Sequence, residues 1–402
     1  MGGSNTMPEL ANRLECTGCT ACASVCPNQC IRMAEDTEGF QYPAIDSSRC
    51  VECLLCVQSC PICSPLSVPV QENMAYAAYT KNDNIRKDSS SGGIFSEIAL
   101  VILNQGGVVF GAAYNDQYDV YHVCIETADQ LYKLRGAKYA QSSLQGVYSK
   151  VKEYLKQKRR VLFSGTPCQI AGLKTFLKSK DELLFCIDFV CHGVPSPKVW
   201  KAYIKYRSLL DNNGKLPISI NMRSKKSGWS FYKYSNVFYY NQKEWSSLSS
   251  QSLYMKIFVG DYINRLSCSN CQMKGYDRVS DITLGDFWGI WDIEPDMDDD
   301  KGTSLMIVHS CNAKKMLECL SDKIVLKQVT LEQTSKQNQS MLKSSTLQKN
   351  RERVIEACLK GEFKKIESSL LMEQKANIVL KGSIINRLFC NLKRMLHKGK
   401  KK

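Results

Sequence analysis

Eight cysteines near the start of the chain form two copies of the run C-x-x-C-x-x-C-x-x-x-C-P, and the copies lie 34 residues apart, from Cys16 to Cys50. Three thiolates at this spacing wrap three corners of an iron–sulfur cube, and the fourth cysteine of each copy crosses to the other cluster. The sequence therefore predicts two [4Fe–4S] clusters. The expected ligands are Cys16, Cys19, Cys22 and Cys60 for the first cluster, and Cys50, Cys53, Cys56 and Cys26 for the second.

Zinc and disulfides are the alternatives for so many cysteines. Zinc modules favour paired C-x-x-C elements over triplets. The first ten residues lack the basic and apolar regions of a secretory signal, so we expect a cytoplasmic protein with reduced thiols. Cys30 and Cys63 lie outside the repeat and are interpreted as small buried residues. The cluster interpretation is favoured over both alternatives.

Composition sets the size and limits the partners. The chain has 402 residues, 44% hydrophobic and 23% charged, which is typical of two or three globular domains. Its formal net charge is +15, and nine of these charges come from the segment after Gln374, which has nine Lys or Arg residues and no Asp or Glu. Each bound cluster with its four thiolates carries about −2, which offsets part of that charge. No nucleic-acid motif is present, so we expect no nucleic-acid partner.

Three segments follow from the patterning. Residues 9–70 form the ferredoxin-like two-cluster domain, with a proline-rich linker at the end. Residues 75–328 alternate between apolar strands, such as 108–113, 161–163 and 183–190, and helical runs, such as 94–103. Residues 329–402 read as a helical, basic extension. The predicted fold class is α+β or mixed α/β.

The last part of the extension has a basic amphipathic pattern. Apolar residues from Ile384 to Leu396 share one face of a helix, with Lys and Arg elsewhere. Three interpretations stay open: a terminal helix docked on the body, a peripheral membrane contact at the inner face, and a partner site. No apolar run reaches the length of a membrane span.

The body resembles the coenzyme F420 hydrogenase/dehydrogenase beta-subunit family, which also includes hydroxymethyl-chlorophyll reductase. The order and spacing of five segments carry the resemblance, whereas each segment alone is only moderately specific. The matching segments are SSGGIF (90–95), LRGAKYA (134–140), FSGTPCQI (163–170), FVCHGVPS (189–196) and CSNCQMKGYDRVSDITLGDFWG (268–289).

The resemblance implies FAD and a third [4Fe–4S] cluster, because members of the family carry FAD and many have a cluster close to it. The family's cluster cysteines correspond to Cys168, Cys191, Cys268 and Cys271. Independently, Cys168 and Cys191 each follow an apolar strand, where α/β sheets place their sites. The alternatives are a zinc site, unrelated buried thiols, and a catalytic thiol at Cys168 near a helix start.

Candidate FAD contacts lie in the same motifs. Glycines at the start of a helix leave backbone amides free to bind a pyrophosphate. Basic residues can neutralise the phosphates, and an aromatic residue can flank a ring. The candidates are Ser91, Gly92, Gly93, Arg135, Lys138, Tyr139, Gly165, Thr166 and Asp286. His192, beside Cys191, is a candidate proton donor, with a structural histidine as the alternative.

The expected function is that of an FAD and iron–sulfur oxidoreductase. It would pass electrons between a ferredoxin-like partner and a small organic substrate by hydride transfer, in either direction. Two other functions remain open: an electron-transfer subunit without a substrate of its own, and a structural or sensing protein.

Overall fold

The structure is a computed structural model that describes residues 7–67, 72–178, 181–231 and 233–370. Strands and helices are mixed throughout, which confirms the expected fold class. The strands are β1 Ile31–Glu35, β2 Gln41–Ile45, β3 Met74–Thr80, β4 Val108–Tyr114, β5 Val120–Ile125, β6 Val161–Ser164, β7 Leu184–Phe189, β8 Ser219–Ser224, β9 Ser235–Tyr239, β10 Glu244–Leu248, β11 Ile282–Asp286, β12 Ser304–Val308 and β13 Ile324–Val329.

The helices connect and cover these strands, and short 3-10 turns occur between them, for example at Leu266–Asn270 and Gln339–Met341. The α-helices are α1 Ala21–Val25, α2 Leu55–Gln58, α3 Asp83–Asp88, α4 Ile94–Asn104, α5 Val147–Lys156, α6 Pro167–Leu177, α7 Pro197–Asn212, α8 Leu253–Val259, α9 Cys311–Leu320, α10 Leu331–Ser335 and α11 Arg351–Leu359. Among the described residues, no helix combines the length and apolarity needed to cross a bilayer.

The main sheet has eight strands in the order β13–β3–β12–β11–β7–β6–β4–β5. Its centre, from β11 through β7 and β6 to β4, is parallel, and the remaining pairs are antiparallel. The carboxyl ends of the four parallel strands therefore meet at one edge. Open α/β sheets place their ligand sites at this edge.

Helices cover both faces of the main sheet, so its central strands are apolar on both sides. On one face, Ile94, Ile98 and Ile102 of α4 follow helical spacing and pack with Leu162 of β6. The next residue of β6, Phe163, points to the other face and packs with α5 and α6. Each fully buried side chain of this kind contributes about 1.5–3 kcal/mol.

A second core surrounds the three-stranded antiparallel sheet of β8, β9 and β10. Trp200 and Tyr203 of α7 pack there with Phe238 of β9. Ile355 of α11 and Phe363 are buried in the same core. The described part of the C-terminal extension, through residue 370, therefore packs as part of the body. The amphipathic segment from Ile384 to Leu396 lies outside the described residues.

The two copies of the cysteine repeat have matching backbone conformations in the N-terminal domain. Thr20 and Leu54 both adopt left-handed conformations immediately before the short helices α1 and α2. Gly18 and Glu52, two residues earlier in each copy, also have positive φ angles. Such angles are costly for residues other than glycine and persist only where the surroundings fix them. The two copies thus form the same pair of tight turns around their cysteines.

Several contacts join the N-terminal domain to the body, and two of them involve α1 and the turn after β1. Helix α1 packs on α6, where Cys19 and Ala21 enter the core of the body. The turn after β1 reaches α11, where Arg351 donates bidentate hydrogen bonds of 2.8 and 2.5 Å to Glu38. Both side chains of this ion pair are largely buried. Breaking a buried pair of this kind costs about 3–5 kcal/mol, so the domain is firmly docked.

Candidate functional site

The first set of four cysteines gathers around α1. Burial, above all, raises the pKa of Cys19 to about 12, and the thiolates of Cys16 and Cys60 raise it further. Burial and the same neighbours also raise the pKa of Cys22. Cys60 belongs to the second copy of the repeat by sequence, yet it lies with the cysteines of the first copy. This is the crossing that the repeat predicts.

The second set lies around α2. Cys26, Cys50, Cys53 and Cys56 line one small cavity. A fifth thiol, Cys30, lines it too, and its Sγ lies 3.3 Å from that of Cys26. Cys30 is buried, as expected, whereas Cys63 is exposed. The expectation of a buried Cys63 is wrong because the chain leaves the domain at this point.

The third set comes from three separate places in the body. Cys168 begins α6 after β6, Cys191 follows β7, and Cys268 lies with Cys271 at a 3-10 turn. The sheet brings the first two together because β6 and β7 are parallel neighbours. The loop after Cys191 positions Cys268, because the Val194 amide in that loop donates a hydrogen bond to Cys268 Sγ at 3.3 Å.

The four thiols of the third set interact with one another. Burial raises the pKa of Cys268 to about 12, and the thiolates of Cys168 and Cys271 add to this. Burial also raises the pKa of Cys191, with repulsion from Cys268 next in size. Half-buried thiols that repel one another in this way would be stabilised as thiolates by a metal centre, because coordinated thiols are deprotonated.

The first and third sets meet at α6. Cys19 interacts electrostatically with Cys168, which lies one helical turn before Gly172. A Cβ on Gly172 would lie only 2.8 Å from Cys19 Sγ. The absence of a side chain at Gly172 therefore lets the first set approach the third.

A cavity of about 500 Å³ opens beside the third set, and Cys168 and Cys191 lie on its wall. This volume is in the ordinary range for cofactor sites. The sequence-predicted residues on its wall are Ser91, Gly93, Arg135, Lys138, Tyr139, Gly165, Thr166, Asp286 and His192. Gly92 is not on the wall. Its amide donates to Ser304 Oγ at 3.0 Å, so it is not free for a phosphate.

One end of the cavity is basic. Ile94 and Phe95, the first residues of α4, lie on the wall, and the first amides of a helix lack intrahelical acceptors. The Arg135 guanidinium donates to Ser96 Oγ at 3.1 Å. Lys138 donates to the carbonyls of Lys133 and Arg135, and burial lowers its pKa to about 7. Helix amides and two basic residues suit a pyrophosphate.

The other end is aromatic and holds a buried arginine. Arg223 donates two hydrogen bonds, of 2.7 and 2.8 Å, to the carboxylate of Asp286. Its guanidinium lies 4.0 Å from the ring centroid of Tyr234 and 5.1 Å from that of Trp288. Its Nε is buried and has no hydrogen-bond partner. This end of the cavity thus presents a guanidinium that is fixed by a carboxylate and lies beside two aromatic rings.

His192 lies on the wall next to Cys191. Its Nε2 is 2.8 Å from Asp261 Oδ1, and its Nδ1 is 3.1 Å from Ser340 Oγ. Its ring meets that of Phe258 edge to face, with centroids 5.2 Å apart. Asp261 is held in turn by Asn264, whose amide donates to Oδ1 at 2.8 Å. Both nitrogens of the imidazole thus face polar groups.

Several wall residues were missed by the sequence reasoning. Arg223 lies at the end of an ordinary-looking strand, and only its charge inside a strand could have drawn attention to it. The segment 337–340 also lies on the wall, although the sequence assigned it to a separate extension. Asp286 was expected to contact a cofactor, but its carboxylate is occupied by Arg223 and by the Trp229 indole at 3.2 Å.

Comparison with known families agrees with this architecture. Residues 75–148 match the N-terminal model of the coenzyme F420 hydrogenase/dehydrogenase beta subunit, and residues 158–334 match its C-terminal model. Residues 15–62 match a 4Fe-4S dicluster domain. The two beta-subunit models together match more than half of the chain.

A curated protein and a solved structure are also similar. NADH-quinone oxidoreductase subunit I 2 from Geobacter metallireducens is 38% identical over 65 residues, which are 15% of this chain and 50% of that protein. The chain thus spans about half the length of this relative. A structure described as a xenon derivative of the F420-reducing [NiFe] hydrogenase complex from Methanosarcina barkeri contains a chain 15% identical, with a TM-score of 0.44, covering 73% of this chain and 91% of that one. From the matches to the two beta-subunit models, the chain belongs to the coenzyme F420 hydrogenase/dehydrogenase beta-subunit family and carries a 4Fe-4S dicluster domain ahead of it.

Proposed function

We propose that the chain is an iron–sulfur flavoprotein oxidoreductase that links a ferredoxin-like partner to a small organic substrate through three [4Fe–4S] clusters and FAD. The observation that carries this proposal is the packing of Cys19 against Gly172 of α6, one helical turn from Cys168. It joins the dicluster domain to a third set of cysteines, and that set lies on the wall of the cavity. The three cysteine sets and the cavity therefore form one continuous series.

The cavity fits FAD at both ends. Arg135 and the start of α4 would hold the pyrophosphate, with Gly93, Gly165 and Thr166 nearby. Burial lowers the pKa of Lys138 to about 7, and a pyrophosphate next to it would favour the charged amine again. When bound, FAD exchanges single electrons with clusters and a hydride with an organic molecule. The residues of this chain position it and exclude water.

Two groups on the wall are suited to the substrate. Asp286 holds the guanidinium of Arg223 in a fixed orientation on the cavity wall. His192 is the proposed proton donor: its two nitrogens contact Asp261 and Ser340, which fix the plane of the ring. The wall thus offers one fixed cation, Arg223, and one imidazole whose ring is held in place by its two neighbours.

Electron exchange with the partner is proposed at the second set of cysteines. Cys53 is exposed, and Val51 and Leu54 beside it are 62% and 46% exposed. The first set lies between this surface and the body. Small surfaces around a cofactor edge are typical of weak electron-transfer complexes. The proposed order of electron exchange is partner, second set, first set, third set, cavity, and it can run in either direction.

The second candidate function is an electron-transfer subunit with no substrate of its own. It is favoured by the name of the Geobacter relative, which is a subunit of a quinone oxidoreductase. In that case the cavity would serve as a relay to another protein.

The test is reduction of the bound flavin by chemically reduced ferredoxin under anaerobic conditions, followed by turnover with candidate substrates. We expect bleaching of the flavin in the wild type and at least tenfold slower bleaching in Cys271→Ser. Cys311→Ser, which removes an exposed thiol that belongs to none of the three sets, is the control and should behave as the wild type. Equal rates in Cys271→Ser and the wild type would contradict the relay, and turnover only with an added protein would favour the second candidate.

A further inference from the structure

Arg265 is a buried cation at the junction of the dicluster domain and the body. It is 2% exposed and is among the largest fully buried side chains of the described residues. It precedes Cys268 by three residues, and its backbone carbonyl accepts a hydrogen bond of 3.0 Å from the Cys268 amide. A buried guanidinium is costly unless an opposite charge lies close to it.

The hydrogen bonds of Arg265 go mostly to the dicluster domain. Its Nε donates to the carbonyl of Cys16 at 2.8 Å, and one Nη donates to the carbonyl of Gln41 at 3.0 Å. The same Nη lies 3.7 Å from Cys16 Sγ. The other Nη donates to Gln141 Oε1, at 3.0 Å, in the body.

None of these partners is a carboxylate. Of the four other buried arginines of the described chain, three each hold a carboxylate bidentately: Arg86 with Asp299, Arg223 with Asp286, and Arg351 with Glu38. The fourth, Arg278, has the buried carboxylate of Asp188 as an electrostatic partner. The rings of Tyr42 and Phe40, with centroids 4.1 and 5.4 Å from the guanidinium, provide only a partial counter-charge. Arg265 needs an anion that the described side chains do not supply through a hydrogen bond.

The cysteine sets on both sides supply that anion. Arg265 contacts Cys16 of the first set and interacts electrostatically with Cys168 and Cys268 of the third. A cubane with its four thiolates carries about −2 when oxidised and becomes more negative on reduction. A cation between two such centres favours the reduced state of both.

We propose that Arg265 is shared by the first and third clusters and raises the reduction potential of both, so that electrons exchange readily across the domain junction. Arg265 acts through the clusters and touches no substrate, so it is a positioning residue. The part of the inference that concerns the third cluster rests on the proposed function, whereas the part that concerns the first rests on the dicluster domain.

The second cluster provides an internal reference. Its four cysteines line the small cavity around α2. The residues that Arg265 contacts, Cys16, Gln41 and Gln141, are not part of that cavity wall. Removing its charge should therefore shift two potentials and leave the third in place, which general loosening of the protein would not do.

The experiment is a redox titration of the anaerobically purified full chain, followed by electron paramagnetic resonance. Arg265→Met removes the charge and keeps an unbranched apolar side chain. Arg265→Lys keeps the charge but lacks the planar guanidinium with its several donors. In Arg265→Met we expect the first and third clusters to become about tenfold harder to reduce, about 59 mV for a one-electron couple. The second cluster should keep its potential, and Arg265→Lys should show a smaller shift.

Arg351→Met is the matched control, because Arg351 also joins the dicluster domain to the body but pairs with Glu38. Its potentials should match the wild type. Unchanged first and third potentials in Arg265→Met, an equal shift of all three, or the same shift in Arg351→Met would each overturn the inference. Iron content of the wild type separates the two proposals: about eight irons would remove the third cluster and the proposed relay, yet the first cluster would still test Arg265.

Discussion

Cys19 packs directly against Gly172, and a Cβ on Gly172 would lie 2.8 Å from both Cβ and Sγ of Cys19. Gly172 is an interior residue of α6, where alanine is ordinarily the better helix former by about 1 kcal/mol. The close approach of Cys19 explains why a glycine occupies the position. It also places the dicluster domain one helical turn from Cys168.

The first prediction concerns this contact. Gly172→Ala should lower the free energy of unfolding by about 1–3 kcal/mol, because the added methyl overpacks the junction despite its better helix propensity. Tyr148 limits any sideways shift, since its Oη lies 3.0 Å from the same Cβ position. Denaturant unfolding of the anaerobic protein measures the change. A variant that is more stable than the wild type would show that the junction has room for the methyl.

The second prediction concerns the crossing of the repeat. Cys60→Ala should remove the first cluster and leave the second, because Cys60 lies with Cys16, Cys19 and Cys22. Its neighbour Cys63 is exposed and serves as the control, so Cys63→Ala should keep the full iron content. Iron analysis and resonance spectra of the two variants test this. Loss of the second cluster in Cys60→Ala would mean that each copy of the repeat holds its own cluster.

The third prediction concerns the partner surface. Val51→Glu should raise the Michaelis constant for a reduced ferredoxin about tenfold, because it places a charge on the apolar surface next to Cys53. Reduction by a small dye should keep its rate, since a dye needs no protein docking. Leu209→Glu is the control, because Leu209 is 59% exposed but lies on α7. If Val51→Glu and Leu209→Glu changed the constant equally, the partner would dock elsewhere.

The fourth prediction concerns pH. Burial lowers the pKa of His122 to about 4, and its Nε2 lies 2.9 Å from the carbonyl of Ser164. The unfolded chain, with a histidine pKa near 6.5, takes up the proton first as the pH falls. Stability should therefore be lost between about pH 6.5 and pH 4, by up to about 3 kcal/mol.

His122→Gln should flatten that loss, because glutamine does not titrate. Unfolding at pH 7 and at pH 5, compared between the two proteins, checks the prediction. His309, whose pKa burial lowers to about 3, still titrates in the variant, so part of the loss should remain. Parallel decreases in the wild type and the variant would rule out His122 as a source.

The cysteine sets could be predicted from the sequence because the spacing of ligands along the chain is a local property. Cys16, Cys19 and Cys22 lie within two tight turns, and the repeat shows where the crossing residue must be. Cys168 and Cys191 were accessible because each follows a strand that reads as apolar, and parallel strands end at one edge of a sheet.

Residues brought in by tertiary packing could not be predicted. Arg265 lies three residues before a cysteine, but its contacts with Cys16 and Gln41 depend on the docking of two domains. Arg223 reaches the cavity from a second sheet. Gly92 was expected to be free at a helix start, yet it packs so tightly on Ser304 and Ala78 that its amide is used there. Glycine spacing alone cannot distinguish a phosphate cradle from a close backbone contact.

The most direct test is the content of iron, acid-labile sulfide and flavin in the anaerobically purified chain. About twelve irons with matching sulfide and one FAD per chain would agree with three clusters beside a flavin cavity. A preparation that stays colourless and free of iron after cluster reconstitution would contradict the account.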